Sequence, residues 1–402
     1  MIWEKVNISA ISEQIRGVSY KPSDLSDTET DDHIPVLRAN NVTENGIKLD
    51  DLVYVDTKRI SKNQVLKSGD ILIVASSGSK AIVGRAISIE ENMNASFGVF
   101  CKIVRPNIKV DKGYLGYYFR SADYRRIISH LSAGANINNL RSDDINTLQI
   151  SLPPLQIQKQ IANILDKADA LRKKDQQLLQ KYDELAQAIF IDMFGDPVKN
   201  EKGWEVKKLG DCLNRIQIGP FGTQLHESDY ISDGIPLINP MHIGNLKIKP
   251  NYKYSITKEK FKELPQYHLK QNDIILARRG EMGRCAIITE LESGFICGTG
   301  SLFLTVSKEK LDPVFLVYLL SRNSTKSALE KSAAGTTMSN LNKTIINNFE
   351  IIAPSVSEQK KFKHSILLNQ HNIELVKRNI GKSEHLFQSL LQKAFTGELI
   401  HD

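Results

Sequence analysis

Apolar positions change their period along the chain, and they do so twice in the same order. Short β-branched and aromatic runs come first: Ile71 to Ala75, Arg85 to Ile89, Phe97 to Val104 and Leu148 to Leu152, separated by Gly, Asn and Ser turns. Such runs predict strands. Tyr114 to Phe119 and Tyr124 to Leu131 have helical spacing, and Val314 to Leu320 repeats the first of them. From Ile161 to Met193 apolar residues recur every three or four positions. Ile164, Leu171, Leu178 and Leu185 form one row, and Ala168, Tyr182 and Ile189 the other, interrupted by Asp175. A second stripe holds Ile366, Ile373, Ile380 and Phe387, with Phe362, Val376 and Leu390 beside them and Asn369 and Ser383 as polar breaks. These heptad stripes predict two long helices. Prolines open them, at Pro153-Pro154 and Pro354, and glycines close them, at Gly195 and Gly397. A helix of about 35 residues is ~50 Å long and outruns a compact domain, so the two are expected to pair as an antiparallel coiled coil.

The recurrence is a duplication. Trp3-Glu4 returns as Trp204-Glu205, 201 residues on, and the same offset relates IPVLRANNV from Ile34 to IPLINPMHI from Ile235. It also relates Tyr117 to Tyr318, Gly134 to Gly335, and Asn139-Leu140 to Asn340-Leu341. Between these anchors the halves slip: Asp70-Ile71-Leu72 matches Asp273-Ile274-Ile275 at 203 and Gly84 matches Gly283 at 199, while the two stripes align at 202. A unit this long is a globular domain plus one further element rather than a solenoid repeat. The expected fold is α+β: two pseudo-symmetric β-rich domains, residues 1–152 and 197–352, separated by the antiparallel pair of long helices, residues 153–196 and 353–402.

Composition narrows the function. The chain of 402 residues carries a net charge of +7 and 41% hydrophobic residues, as a folded, mildly basic protein does. No apolar run approaches ~18 residues and the first ten residues lack the pattern of a signal peptide, so a cytoplasmic protein is expected. Cys101, Cys212, Cys285 and Cys297 stand singly and read as buried small side chains. There is no GxxxxGK[ST] loop, no HExxH helix and no Asn-Pro-Pro-aromatic motif. His364 and His371 lie seven apart, a surface or seam spacing, so no metal is assigned. The Glu-x-Lys tripeptides at Glu205 and Glu358 are too common to indicate a nuclease.

Two connections carry candidate chemistry. Ala75-Ser76-Ser77-Gly78-Ser79-Lys80 leads to Gly84-Arg85 in the first half, and Ala277-Arg278-Arg279-Gly280-Glu281-Met282-Gly283-Arg284 takes its place in the second. Arg can set two donors on guanine O6 and N7, Ser and Asn read flexibly, and Gly lets the backbone approach a phosphate. Either segment alone also fits a solvated turn. Strands that persist while the loops diverge are what independent readers would show.

In this order, twice over, the residues resemble the specificity subunit of type I restriction-modification systems. The resemblance rests on Ile34-Pro35 and Gly234-Ile235-Pro236, on Gly69-Asp70-Ile71-Leu72, on the Gly-then-Asn-Leu turn, and on Pro-Pro-Leu then Glu-Gln at the start of each long helix. Ile157 departs from the Glu of that last pair, and Ala353 replaces one proline. The resemblance implies a non-catalytic subunit that reads a two-part, interrupted site on double-stranded DNA with two target recognition domains. Its helices would dock two modification (methyltransferase) subunits, and restriction subunits would join. S-adenosylmethionine, ATP and magnesium would belong to those partners. By position, the DNA contacts would come from Ser76, Ser77, Ser79, Lys80 and Arg85 in the first domain and from Arg278, Arg279, Glu281 and Arg284 in the second. Asn136, Asn138, Thr336 and Asn340 would add to them from the turns. The rival readings are a structural coiled-coil connector whose heads bind protein, and a nuclease or methyltransferase in its own right.

Overall fold

The computed structural model describes residues 3–44, 46–133, 139–222, 224–244, 246–333 and 340–400. The chain divides into two units, Met1–Gln177 with Lys377–Asp402, and Leu178–Val376. Both divisions fall inside the long helices, Leu155–Phe194 and Val356–Thr396.

The first unit is built on an antiparallel sheet in the order Ser12–Arg16, Cys101–Pro106, Ile71–Val74, Ala86–Ser88. Ile71–Val74 is wholly buried, with Ile71 and Ile73 facing one core and Leu72 and Val74 another. That is why it reads as an unbroken apolar run rather than an alternation. A second sheet contains His33–Leu37, which pairs in parallel with Ser96–Phe97. The expected strand from Phe97 to Val104 is therefore two strands, and Gly98 marks the crossing between sheets. There the chain passes so near Gly17 that a Cβ on Gly17 would lie 2.1 Å from the Gly98 oxygen. Helices Lys112–Tyr118 and Ala122–Ala133 follow, close to the spans predicted.

The second unit repeats this plan. Its sheet runs Leu213–Ile218, Ser301–Val306, Ile274–Ala277, Cys285–Ile287. Ile235–Ile238 pairs in parallel with Ile296–Cys297, and a Cβ on Gly219 would meet the Gly298 oxygen at 1.9 Å. All four cysteines are buried and unbridged.

A buried glutamine starts each long helix. Gln158 accepts from Asp111 N (2.7 Å) and donates to Pro153 O (2.8 Å), and Gln359 does the same with Asp312 N (2.7 Å) and Pro354 O (2.8 Å). Asp111 and Asp312 in turn cap the short helices that follow them. The Gln retained in both copies thus joins two helix starts.

Within each unit the start of one long helix runs antiparallel to the end of the other. In the first, Arg172 pairs with Glu384 (3.1 Å) and Ser383 donates to Asp175 (2.8 Å). In the second, Asn369 Nδ2 donates to Tyr182 O (3.0 Å). Phe387, Leu391 and Ala394 complete the first unit's core, and Ala186, Phe190 and Phe194 that of the second.

In the second stripe Ile366, Ile373 and Phe387 are buried and Ile380 is half-buried. The first stripe departs from the expected inward placement. Leu171, Leu178 and Leu185 are 41 to 48% exposed and Ile164 is half-buried. The inward face keeps Ala168, Asp175 and Tyr182 of the other expected row, and adds Ile161 together with Leu165, Arg172, Leu179 and Ala186, each of the last four one residue beyond the expected leucine row. Its middle is polar because Asp169 binds Arg120 and Arg172 (both 2.8 Å) while both guanidinium groups lie over the Phe387 ring. Burial works against the Asp169 charge, but these two cations and Lys173 outweigh it and hold the carboxyl well below the usual range.

Candidate nucleic-acid interface

In each unit the central strand leaves the sheet into a loop that returns through a glycine of positive φ, Gly84 at 74° and Gly283 at 81°. A side chain there would be strained by φ and would also strike the helix behind, at Ile128 in the first unit and Lys326 in the second. The loop tips are thus fixed at one end by the strand and at the other by a close backbone approach.

The Asn-Leu turn docks onto each strand exit. Ser76 forms an isolated antiparallel bridge with Asn139, and Arg279 Nε donates to Asn340 Oδ1 (2.9 Å). Two segments that were separate candidates in the sequence are one surface in the fold. Asn136, Asn138, Thr336, Gly134 and Gly335 lie outside the described residues.

The other candidates divide by environment. Ser79 and Lys80 are exposed, Ser77 is half-buried, and Ser79 N donates to Ser77 Oγ (3.2 Å). Arg85 is half-buried; it donates to Val42 O (3.3 Å) and faces Glu44 (3.4 Å). Arg279 and Glu281 are exposed, and Glu281 pairs with Arg284. Arg278 departs from the expectation of a surface reader. It is only 6% exposed, and its Nε donates to Leu341 O (3.2 Å).

Other polar groups near these loops were not singled out from sequence. Arg125 donates to Val83 O (3.0 Å) and Ala81 O (3.3 Å), and so holds the first loop from its inner side. Lys326, 201 residues on, lines a cleft of about 460 Å³ with Arg284, Glu281, Lys249 and His242. His242 is buried, which pulls its pKa below the ordinary value; its ring accepts from Asn239 N (3.2 Å) as Asn41 accepts from Arg38 N (2.8 Å). The signal in the sequence is the basic pair Arg125 and Lys326 at the common offset of 201. Among the described residues no group of three His, Cys, Asp or Glu side chains is placed to hold a metal, and no helix is long and apolar enough to cross a membrane.

The model of the family described as "Type I restriction modification DNA specificity domain" matches residues 2–181 and again 201–394. The chain is 28% identical to the StySPI type I restriction enzyme specificity subunit of Salmonella potsdam over 99% of this chain and 89% of that one. It is 26% identical to the EcoKI specificity subunit of Escherichia coli strain K12 with the same coverages. Among solved structures, a chain from a type I R-M system described for its complex assembly and conformational transition superposes with a TM-score of 0.61 at 17% identity, covering 99% of this chain and 98% of that one. The S subunit of a type I restriction-modification system from M. genitalium does so with a TM-score of 0.54 at 15% identity, covering 98% and 96%. With one match to each half of the duplication, the chain belongs to the type I restriction-modification DNA specificity family.

Proposed function

We propose that this chain is the DNA-recognition subunit of a type I restriction-modification complex, without catalysis of its own. It reads a bipartite, interrupted site on double-stranded DNA, one half with each β-rich domain, residues 1–152 and 197–352. The observation that carries this reading is that two copies of one family domain keep the strand exit, the returning glycine and the docked Asn-Leu turn while the side chains on them differ. A fixed backbone with variable polar tips suits base readout, in which Arg takes two guanine acceptors and Ser or Asn adapts. Ser76, Ser77, Ser79, Lys80 and Arg85 serve the first half-site. Arg279, Glu281, Arg284 and Asn340 serve the second with Thr336 from its turn, and Asn136 and Asn138 from the corresponding turn add to the first. The long helices dock two modification subunits and, with them, restriction subunits. S-adenosylmethionine, ATP and magnesium are bound by those partners, and the complex works in the cytoplasm. The net charge of +7 favours approach to DNA without specifying sequence.

The test is a domain exchange. Residues 1–152 are replaced by the same region of a relative, the hybrid is co-expressed with the modification subunits, and the methylated motif is read genome-wide. One half of the motif should change and the other stay. A hybrid that assembles and changes both halves, or neither, would refute the assignment.

A further inference from the structure

The turn that carries Asn139 in the first unit and Asn340 in the second is held at its backbone. Leu140 N donates to Ala75 O (2.7 Å), and Leu341 N donates to Arg278 O (3.1 Å). Both leucines are buried, so their own carbonyls need donors too. Each receives one from a cation. Lys102 Nζ donates to Leu140 O at 2.8 Å, and Arg278 Nε to Leu341 O at 3.2 Å.

The two cations do not occupy the same place in the duplication. Ala75 N donates to Phe100 O and Arg278 N to Gly300 O, so Arg278 stands where the first unit has Ala75. Cys101 pairs with Val74 and Ser301 with Ala277; hence Leu302 stands where the first unit has Lys102. The clamp has moved from one strand to its neighbour while the carbonyl it serves has stayed. Arg278 is kept charged against its surroundings: burial first, and then the Arg279 charge, lowers its pKa. Its Nη1 has no hydrogen-bond partner among the described residues. A neutral side chain would meet less resistance there, and the first unit has one, Ala75.

We propose that Lys102 and Arg278 are positioning residues for sequence reading, each holding the Asn-Leu turn against the strand-exit loop so that the side chains on both are presented at a fixed place without the cation touching DNA. This rests on the DNA-recognition function above.

The full chain is co-expressed with the modification subunits, and methylation is scored at genomic sites with one mismatch in either half of the motif. Arg278→Ala should weaken discrimination in the second half by roughly ten- to hundredfold, the worth of a hydrogen bond to a charged group, and leave the first half unchanged. Lys102→Ala should do the reverse. Adding Leu302→Lys to Arg278→Ala moves the cation to the first unit's position and should restore the second half, which a lost base contact of Arg278 could not explain. Should Arg278→Ala abolish the complex, Arg278→Lys keeps charge and donor and should keep the motif. The proposal is overturned by a motif that Arg278→Ala leaves intact, by an assembled double variant that stays relaxed, or by relaxation in Arg278→Lys. A wild-type complex that shows no two-part motif would instead refute the recognition function, whatever the variants do.

Discussion

The two units keep one backbone and distribute their charges differently. Asp70 and Asp273 stand at the same place, each nearly inaccessible at the start of its central strand. Asp70 receives both arms of Arg105 (2.7 Å each). Its counterpart Asp273 accepts from the Thr305 hydroxyl (2.6 Å), and the cation with the largest electrostatic effect on it is Arg215, cross-strand partner of Thr305. Burial outweighs these and raises the Asp273 pKa. The turn clamp shifts in the same way, from Lys102 to Arg278. Duplication has preserved the location of a charge in space more faithfully than its position in sequence. A strand that reads Lys102-Ile103-Val104-Arg105 in one copy can therefore read Leu302-Phe303-Leu304-Thr305 in the other.

The largest effect expected of this difference is on stability. Arg105→Ala leaves a buried carboxylate without its partner and should cost the first unit about 3 to 5 kcal/mol. Thr305→Ala removes one neutral donor and should cost the second about 1 kcal/mol. Hydrogen exchange read on peptides of each central sheet measures both, and equal losses would mean that the two aspartates are held alike.

A smaller contrast lies in the long helices. Ile373→Asp puts a charge into the packed row of the second helix and should destabilise by about 2 kcal/mol or more. Leu178→Asp, on the exposed row, should change stability by less than about 0.5 kcal/mol. Thermal unfolding of the two variants decides, and a Leu178→Asp variant as unstable as Ile373→Asp would return that leucine to the seam.

Acid gives the smallest effect. The Asp169 pKa is lowered, so the stability it lends the first unit is complete above the ordinary carboxylate range and declines as pH falls through that range. The Asp273 pKa is raised, so its protonation favours the folded second unit as pH falls toward the same range. Between pH 6 and 3.5 the first unit should lose exchange protection relative to the second, by about 1 kcal/mol or less. Asp273→Asn, which mimics the protonated form, should remove the second unit's part of the trend. Parallel loss in both units would contradict the sign.

These contrasts mark where the sequence was readable. Repeat, strands and helix limits follow from periodicity, since buried strands and capped helices impose patterns that few other arrangements satisfy. The phase of the first helix was lost because its inward row contains Arg172 and Asp175, whereas Leu171, Leu178 and Leu185 make a cleaner stripe one residue away. The uniform offset of 201 would have recovered it: Ile366, Ile373, Ile380 and Phe387 fall on Leu165, Arg172, Leu179 and Ala186. The loops were readable as places, and the pairing of Arg279 with Asn340 joins two of them. Arg278 was not, because nothing local distinguishes an arginine that reaches for a base from one that turns back to a carbonyl 63 residues away.

The closing of the first core by Phe387, Leu391 and Ala394 has a consequence for how the protein is made. The second unit is a continuous stretch, Leu178–Val376, whereas the first needs residues from 377 onward. At synthesis rates of ~5 to 20 residues per second, the apolar surface that those residues cover waits roughly 10 to 45 s for them. The unit translated first is completed last, and during that interval its exposed aromatic core is a natural target for chaperones and a point where aggregation begins.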